Sequence, residues 1–191
     1  VPGYTYPPTN IVFPNIVCPS GTNQVGDTLY PGTYSGHFPP RNVTYLSGGT
    51  YCVNGDFSVN GNETLIGHEV IIIMQSGDVT FNAGATVELS GNPGPATVDN
   101  PYGGLFLYMP MRAGTAPCGT IKINGNSASS FEGTILAPCA DVLINGTGDS
   151  GLQGQIIGYT VDLTGDGNTK IIYNEAQNWP APVPPQIEFT Q

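Results

Sequence analysis

Two stretches of the chain repeat one another. "APCGTIKING" begins at Ala116 and "APCADVLING" begins at Ala137. They set Cys118 over Cys139, Ile121 over Val142, Ile123 over Ile144 and Gly125 over Gly146, an offset of 21 residues. Val161-Asp162-Leu163-Thr164-Gly165 follows at an offset of 19. Earlier copies are Phe57-Ser58-Val59-Asn60-Gly61, Val79-Thr80-Phe81-Asn82-Ala83-Gly84 and Val87-Glu88-Leu89-Ser90-Gly91. Each reads apolar–polar–apolar and then a turn with glycine, the pattern of a short strand of period two. A second column lies between copies of the first: Glu69–Ile73, Gly104–Tyr108, Gly133–Leu136 and Gly154–Ile157, closed by Lys170-Ile171-Ile172-Tyr173. Near the start, Pro31-Gly32-Thr33-Tyr34 aligns with Gly48-Gly49-Thr50-Tyr51.

A period near 20 residues with two or three strands in each means a solenoid. No segment keeps a helical period, so the expected fold is all-β, a right-handed parallel β-helix. A β-sandwich also has short strands and turns, but gives no reason for a near-constant offset. The expected inward ladder is Phe57/Val59, Val79/Phe81, Ile121/Ile123, Val142/Ile144 and Val161/Leu163, with Ser58, Thr80, Lys122, Leu143 and Asp162 outward. The β-helix is expected over residues 27–174, between an extended N-terminal tail (1–26) and a Pro-rich C-terminal tail with a short terminal strand (175–191). At about 21 residues and ~4.8 Å per turn the body is a rod on the order of 35 Å long. Gly91–Gly103 and Met111–Pro117 break the period and read as loops bulging from one turn.

Stacked turns place equivalent residues within reach of a disulfide. Cys118 and Cys139 are therefore expected to be bridged. Cys18 and Cys52 remain, and would staple the N-terminal tail to an early turn. Four free buried thiols are the alternative; the spacing argues against zinc. Two disulfides imply an oxidising compartment. Three sequons (Asn42, Asn62, Asn145) are candidate glycosylation sites and, with the scarcity of lysine, fit an exported, extracellular or cell-surface protein. The chain starts at Val1 without an initiator Met or signal peptide, either of which a precursor could have lost. Only 9% of residues are charged, against roughly 25% in an ordinary soluble domain. Gly (27) and Pro (18) are abundant, as many short strands and tight turns require. The net charge of −10 leaves Arg41, Arg112, Lys122 and Lys170 as the only Lys and Arg residues, too few for a nucleic-acid surface. No apolar run approaches the roughly 18–20 residues of a membrane helix; the longest, Val70–Met74, is strand-sized.

The order of "PGTY", "GTYCVNGDFSVNG" and "EGTILAPCADVLING" resembles the secreted β-helical region of bacterial TadE/TadG-like, Flp-pilus-associated proteins, over about Leu29 to Tyr173. The resemblance implies an envelope or extracellular structural role without catalytic residues. This chain lacks the N-terminal membrane helix such proteins often carry.

Solenoids also host polysaccharide lyases and hydrolases, which need clustered carboxylates and a cation. In the aligned register Asp162 stacks on Leu143, and Asp141 on Thr120 and Thr160; Glu88 is alone, and Lys122 lies two turns from Asp162. No catalytic pair forms, and no enzyme activity is expected. No cofactor or metal is expected either: "NGTGDSG" (145–151) and "TGDGN" (164–168) could offer oxygens to Ca²⁺, but ordinary Asx turns explain them. His37 and His68 are too far apart in the repeat for a metal site. Both tails carry apolar residues among prolines, so something must hold them: their own solenoid or a neighbour. The expected function is a secreted structural subunit that polymerises with itself, head to tail, by solenoid stacking and tail strand addition. Ile11, Val12, Phe13, Trp179, Ile187 and Phe189 are its candidate interface residues, and Gln186–Gln191 its candidate docking strand. The competing expectation is a carbohydrate-binding or adhesive module using surface glycans, built on the two loops with Tyr102 and Tyr108.

Overall fold

The computed structural model describes residues 15–94, 97, 100–112, 117–125, 129–146, 151–165, 170–173 and 178–179. The chain winds as a parallel β-solenoid of about 6 turns. β1 (Asn23–Val25) precedes the coil. The first turn holds β2 (Thr28–Tyr30) and β3 (Gly32–Ser35), and the second β4 (Tyr45–Leu46), β5 (Gly49–Asn54) and β6 (Phe57–Val59). The third holds β7 (Thr64–Gly67), β8 (Val70–Ser76) and β9 (Val79–Phe81). The fourth holds β10 (Thr86–Ser90), β11 (Leu105–Tyr108) and β12 (Thr120–Gly125). Single long strands, β13 (Ser130–Gly146) and β14 (Gly151–Thr164), make the fifth and sixth, and β15 (Lys170–Ile172) begins a seventh.

Pairing divides the wall into three faces. Face A stacks β2, β4, β7, β10, then the starts of β13 and β14, then β15. Face B stacks β3, β5, β8, β11 and the middles of β13 and β14. Face C stacks β6, β9, β12 and the ends of β13 and β14, headed by a bridge from Phe38 to Phe57. The face C register matches the repeat read from sequence, including Ile121 on Val142 and Val142 on Val161.

Three alignments differ. Val87–Gly91 does not belong with face C: Leu89 pairs with Gly67 and Phe131, on face A. Lys170–Ile172 is also on face A, paired with Gly151–Gln153. All three faces repeat apolar–polar–apolar, so the pattern alone does not say which wall a strand joins. The two Gly-Thr-Tyr triplets are out of register, since Gly32 pairs with Tyr51 and Thr33 with Cys52. What the triplets share is local. Each tyrosine hydroxyl reaches the carbonyl four residues back, Tyr34 to Tyr30 and Tyr51 to Ser47, both at 2.5 Å. Strand structure also begins earlier than residue 27, at Asn23.

The core runs down the axis. Phe38, Phe57, Phe81 and Phe131 follow one another at centroid spacings of 5.0, 4.9 and 5.5 Å, in edge-to-face and stacked geometries that favour aromatic pairs. A bulge in β11 pairs Leu105 with Thr134 and Leu107 with Ile135, so Phe106 and Leu107 both enter this core. At the corner between faces B and C the turns pass so closely that a Cβ on Gly55 would collide with the Gly36 backbone, and one on Gly77 with Gly55. All three glycines have positive φ, which only glycine adopts without strain.

Tyr51 is fully buried, with its hydroxyl also 2.8 Å from the carbonyl of Leu29. Burial, with the neighbouring Tyr34, pushes its phenol well above the usual tyrosine range, against a smaller opposing pull from Ser47. Burial raises Tyr108 as well. A raised acid pKa leaves stability intact below the unfolded value of about 10 and removes it as pH climbs from there toward the folded value. Thermal melts should therefore fall in midpoint above about pH 10. Tyr51→Phe should flatten that fall in part, since Tyr108 still contributes with the same sign.

Both expected disulfides are present, Cys18–Cys52 and Cys118–Cys139, with Cα separations of 5.7 and 5.3 Å. The second joins equivalent residues of stacked turns, beside a bond from the Cys118 amide to the Cys139 carbonyl. Cys118→Ser should cost about 3 kcal/mol, as expected for a short closed loop. The check is a lower denaturation midpoint, together with Cys139 becoming open to alkylation.

Candidate functional site

The two ends of the solenoid are built differently. At the N-terminal end the chain covers its own first turn. β1 pairs antiparallel with β2 over face A. Over face B, the Thr33 amide donates to the Gly21 carbonyl at 2.9 Å and its hydroxyl to Pro19 at 2.6 Å. On face C the chain continues from Phe38 into Pro39-Pro40, which offer no N–H for a further strand. The core residues Leu29, Tyr34 and Phe38 are buried.

Among the described residues the C-terminal end is open: nothing pairs with the far edge of Tyr159–Thr164, and Lys170–Ile172 lies only over the first strand of that turn. Val161 and Leu163, the bottom of the face C core ladder, are 42% and 52% exposed. The equivalent Val142 and Ile144 one turn above are buried. Tyr159, Ile171, Ile172 and Tyr173 are exposed around them. A free strand edge with an uncovered apolar ladder is a template for another strand.

The flank of face B is apolar on its outer side too. Cys52, Ile73, Tyr108, Leu136 and Ile157 stack in register along it, with Ile71 and Leu105 beside them. Both tails lie on this stripe. Ile16 and Cys18 pack there; the Asn15 carbonyl accepts from Tyr102 at 3.2 Å. From the other tail, Trp179 is buried in the same cluster, its amide donating to the Thr134 hydroxyl at 2.9 Å. Trp179, expected at a subunit interface, is thus buried against its own chain, because the outward apolar stripe supplies a docking groove that the alternation of face C did not foretell. Ile11, Val12, Phe13, Ile187 and Phe189 lie outside the described residues.

The remaining candidates are placed as follows. Asn42 and Asn62 are exposed at turns with φ of 65° and 69°. Asn145 is engaged: its amide donates to Asn124 at 2.9 Å and its carbonyl oxygen accepts from Thr164. Tyr108 is buried and the Tyr102 hydroxyl is bonded, so neither ring forms an open stacking platform. The loops after Ser90 and Tyr108 both interrupt the fourth turn, as expected. The acidic turns proposed for Ca²⁺ fall largely outside the described residues, among which no metal-binding cluster occurs.

Asp141 stacks between Thr120 and Thr160, and accepts from the Thr160 hydroxyl at 2.6 Å. The same ladder continues upward through Asp78, which accepts from the Thr120 amide at 2.7 Å, and Asp56, which accepts from the Asp78 amide at 3.0 Å. Here Asp56 and Asp78 cap backbone amides at a corner, and Asp141 holds a threonine hydroxyl. Arg112 clamps that corner, donating to the carbonyls of Cys118 (2.8 Å) and Met74 (3.1 Å). Burial lowers its pKa, with Asp78 opposing. On face A the structure groups residues that the sequence kept apart. His68 lies 3.7 Å from Glu88 and 3.2 Å from the Ser90 hydroxyl, and Glu132 lines the same shallow clefts. The true register of β10 was the missing signal. His37, Arg41, Ser58 and Glu63 line a separate polar cleft of about 510 Å³ with Asn42 and Asn62.

No protein-family model, curated protein or solved structure matches the chain. Among the described residues no helix is long and apolar enough to cross a membrane. The paired cysteines fit folding in an oxidising compartment.

Proposed function

We propose that the protein is a secreted structural subunit that polymerises into an extracellular filament, solenoid on solenoid, with a tail strand from one copy completing the open turn of another. The observation that carries this reading is the asymmetry of the ends: a self-covered first turn and an open last turn with half-exposed Val161 and Leu163. An open edge facing a closed one gives a heterologous contact, which propagates rather than closes. The resemblance to TadE/TadG-like proteins and the disulfides support the extracellular setting. Sedimentation velocity over a concentration series tests the reading, which expects growth from monomer to long polymers. A monomer at every concentration would overturn it.

A second reading, a glycan-binding module, draws on the polar cleft around His37 and Arg41. A glycan array with the wild type and Arg41→Ala separates the two.

A further inference from the structure

The C-terminal tail carries a spare copy of the strand that the open end lacks. Ile187-Glu188-Phe189-Thr190 repeats Val161-Asp162-Leu163-Thr164 as apolar, acid, apolar, threonine. The earlier turns of face C share the apolar first and third positions and end in Asn, with Ser, Thr, Lys or Leu at the second: Phe57 to Asn60, Val79 to Asn82, Ile121 to Asn124 and Val142 to Asn145. The fourth positions bond from turn to turn. Asn82 donates to Asn60 at 3.2 Å, Asn145 to Asn124 at 2.9 Å, and Thr164 to Asn145. Thr190 is the same kind of residue at the next place in that ladder.

We infer that Ile187–Thr190 of one copy is the seventh strand of face C of a second copy, parallel to Val161–Thr164, with Ile187 on Val161, Phe189 on Leu163 and Thr190 on Thr164. This rests on the assembly proposed above and names its donor strand and register.

The path of the chain selects a second copy over its own open end. β15 lies below the sixth turn, yet Trp179 is bonded to Thr134 in the fifth. The chain is therefore travelling back toward the N-terminal end where its described course stops. The next six residues are Pro180-Ala181-Pro182-Val183-Pro184-Pro185. Such a segment favours an extended polyproline form of about 3.1 Å per residue and resists reversal. It spans roughly 19 Å, the height of four turns at ~4.8 Å each. That delivers Ile187 to the first turn of its own solenoid, where a head-to-tail neighbour presents its open edge. In this register Glu188 lies over Asp162 on the outer side, and like charges directly opposite weaken the pairing.

The test is a pair of cysteines in the full chain, Leu163→Cys with Phe189→Cys. All four native cysteines are in disulfides, so the new thiols are the only free ones. After mild oxidation, non-reducing gels should show a ladder of covalent dimers and higher species. Leu163→Cys with Glu188→Cys, one residue out of register, should give several-fold less. Glu188→Lys and Asp162→Lys should each lower the concentration for half-assembly several-fold, and the two together should restore the wild-type value. A cross-linked monomer would mean the tail caps its own solenoid, and overturns the inference. So does an absent cross-link, or charge variants without effect, while the wild type still assembles; the assembly reading then stands alone. If the wild type does not assemble, both fall.

Discussion

Phe81→Ala should destabilise the solenoid by about 3–5 kcal/mol, the usual cost of emptying a buried aromatic site. Phe81 is 1% exposed, in the third turn, with Phe57 edge-on at 4.9 Å and Phe131 stacked at 5.5 Å. Its loss leaves a cavity in the axial core and breaks two ring pairs worth about 0.5–1.5 kcal/mol each beyond burial. The position matters because a solenoid holds together mainly by contacts between neighbouring turns. A gap in the middle weakens both halves, whereas one at Leu163, already half exposed, removes little. Chemical denaturation should show a markedly lower midpoint, and with the stack interrupted the transition should broaden. Phe81→Leu, which refills much of the space, should recover most of the loss.

Val161→Asp with Leu163→Asp should abolish assembly while leaving a folded monomer. Neither side chain is buried in the isolated chain, so the cost to its stability is on the order of 1 kcal/mol per site, set by strand propensity. Once a strand covers them, two carboxylates would be driven into an apolar ladder between Val142/Ile144 and the incoming residues. Sedimentation should show monomer at concentrations where the wild type is polymeric, with circular dichroism and thermal midpoint nearly unchanged. Conservative changes placed outward on the same strand, Thr160→Ser with Asp162→Asn, should leave assembly in place.

Face C was legible in the sequence because its copies keep a near-constant offset between Thr120 and Thr164, 21 and then 19 residues. Cys118–Cys139 followed from the same register, and Cys18–Cys52 as the pair that remained. Face A was not separable from face C by pattern, since Leu89, Phe131 and Leu152 alternate with polar residues just as Phe81, Ile123 and Ile144 do. That misplacement hid the grouping of His68, Glu88 and Glu132. Face B was visible as a run of apolar residues, and Ile71, Ile72 and Ile73 are indeed buried on both sides, as strands covered on two faces are. What covers the outer side is set by Cys18 and Trp179, more than a hundred residues apart in sequence and joined only by the fold. Pattern reading within a window cannot reach that contact. The open end was implied by the absence of a capping helix, but its apolar content depends on which strand comes last.

The most direct measurement is electron cryomicroscopy of the full-length protein at high concentration, with the power spectrum taken along any filaments. Solenoids stacked through tail strands should give a strong layer line near 4.8 Å along the filament axis and a subunit repeat of about 30–35 Å, corresponding to six or seven turns. Isolated monomers at the highest concentration reached, or filaments whose ~4.8 Å spacing runs across the axis, would contradict the account.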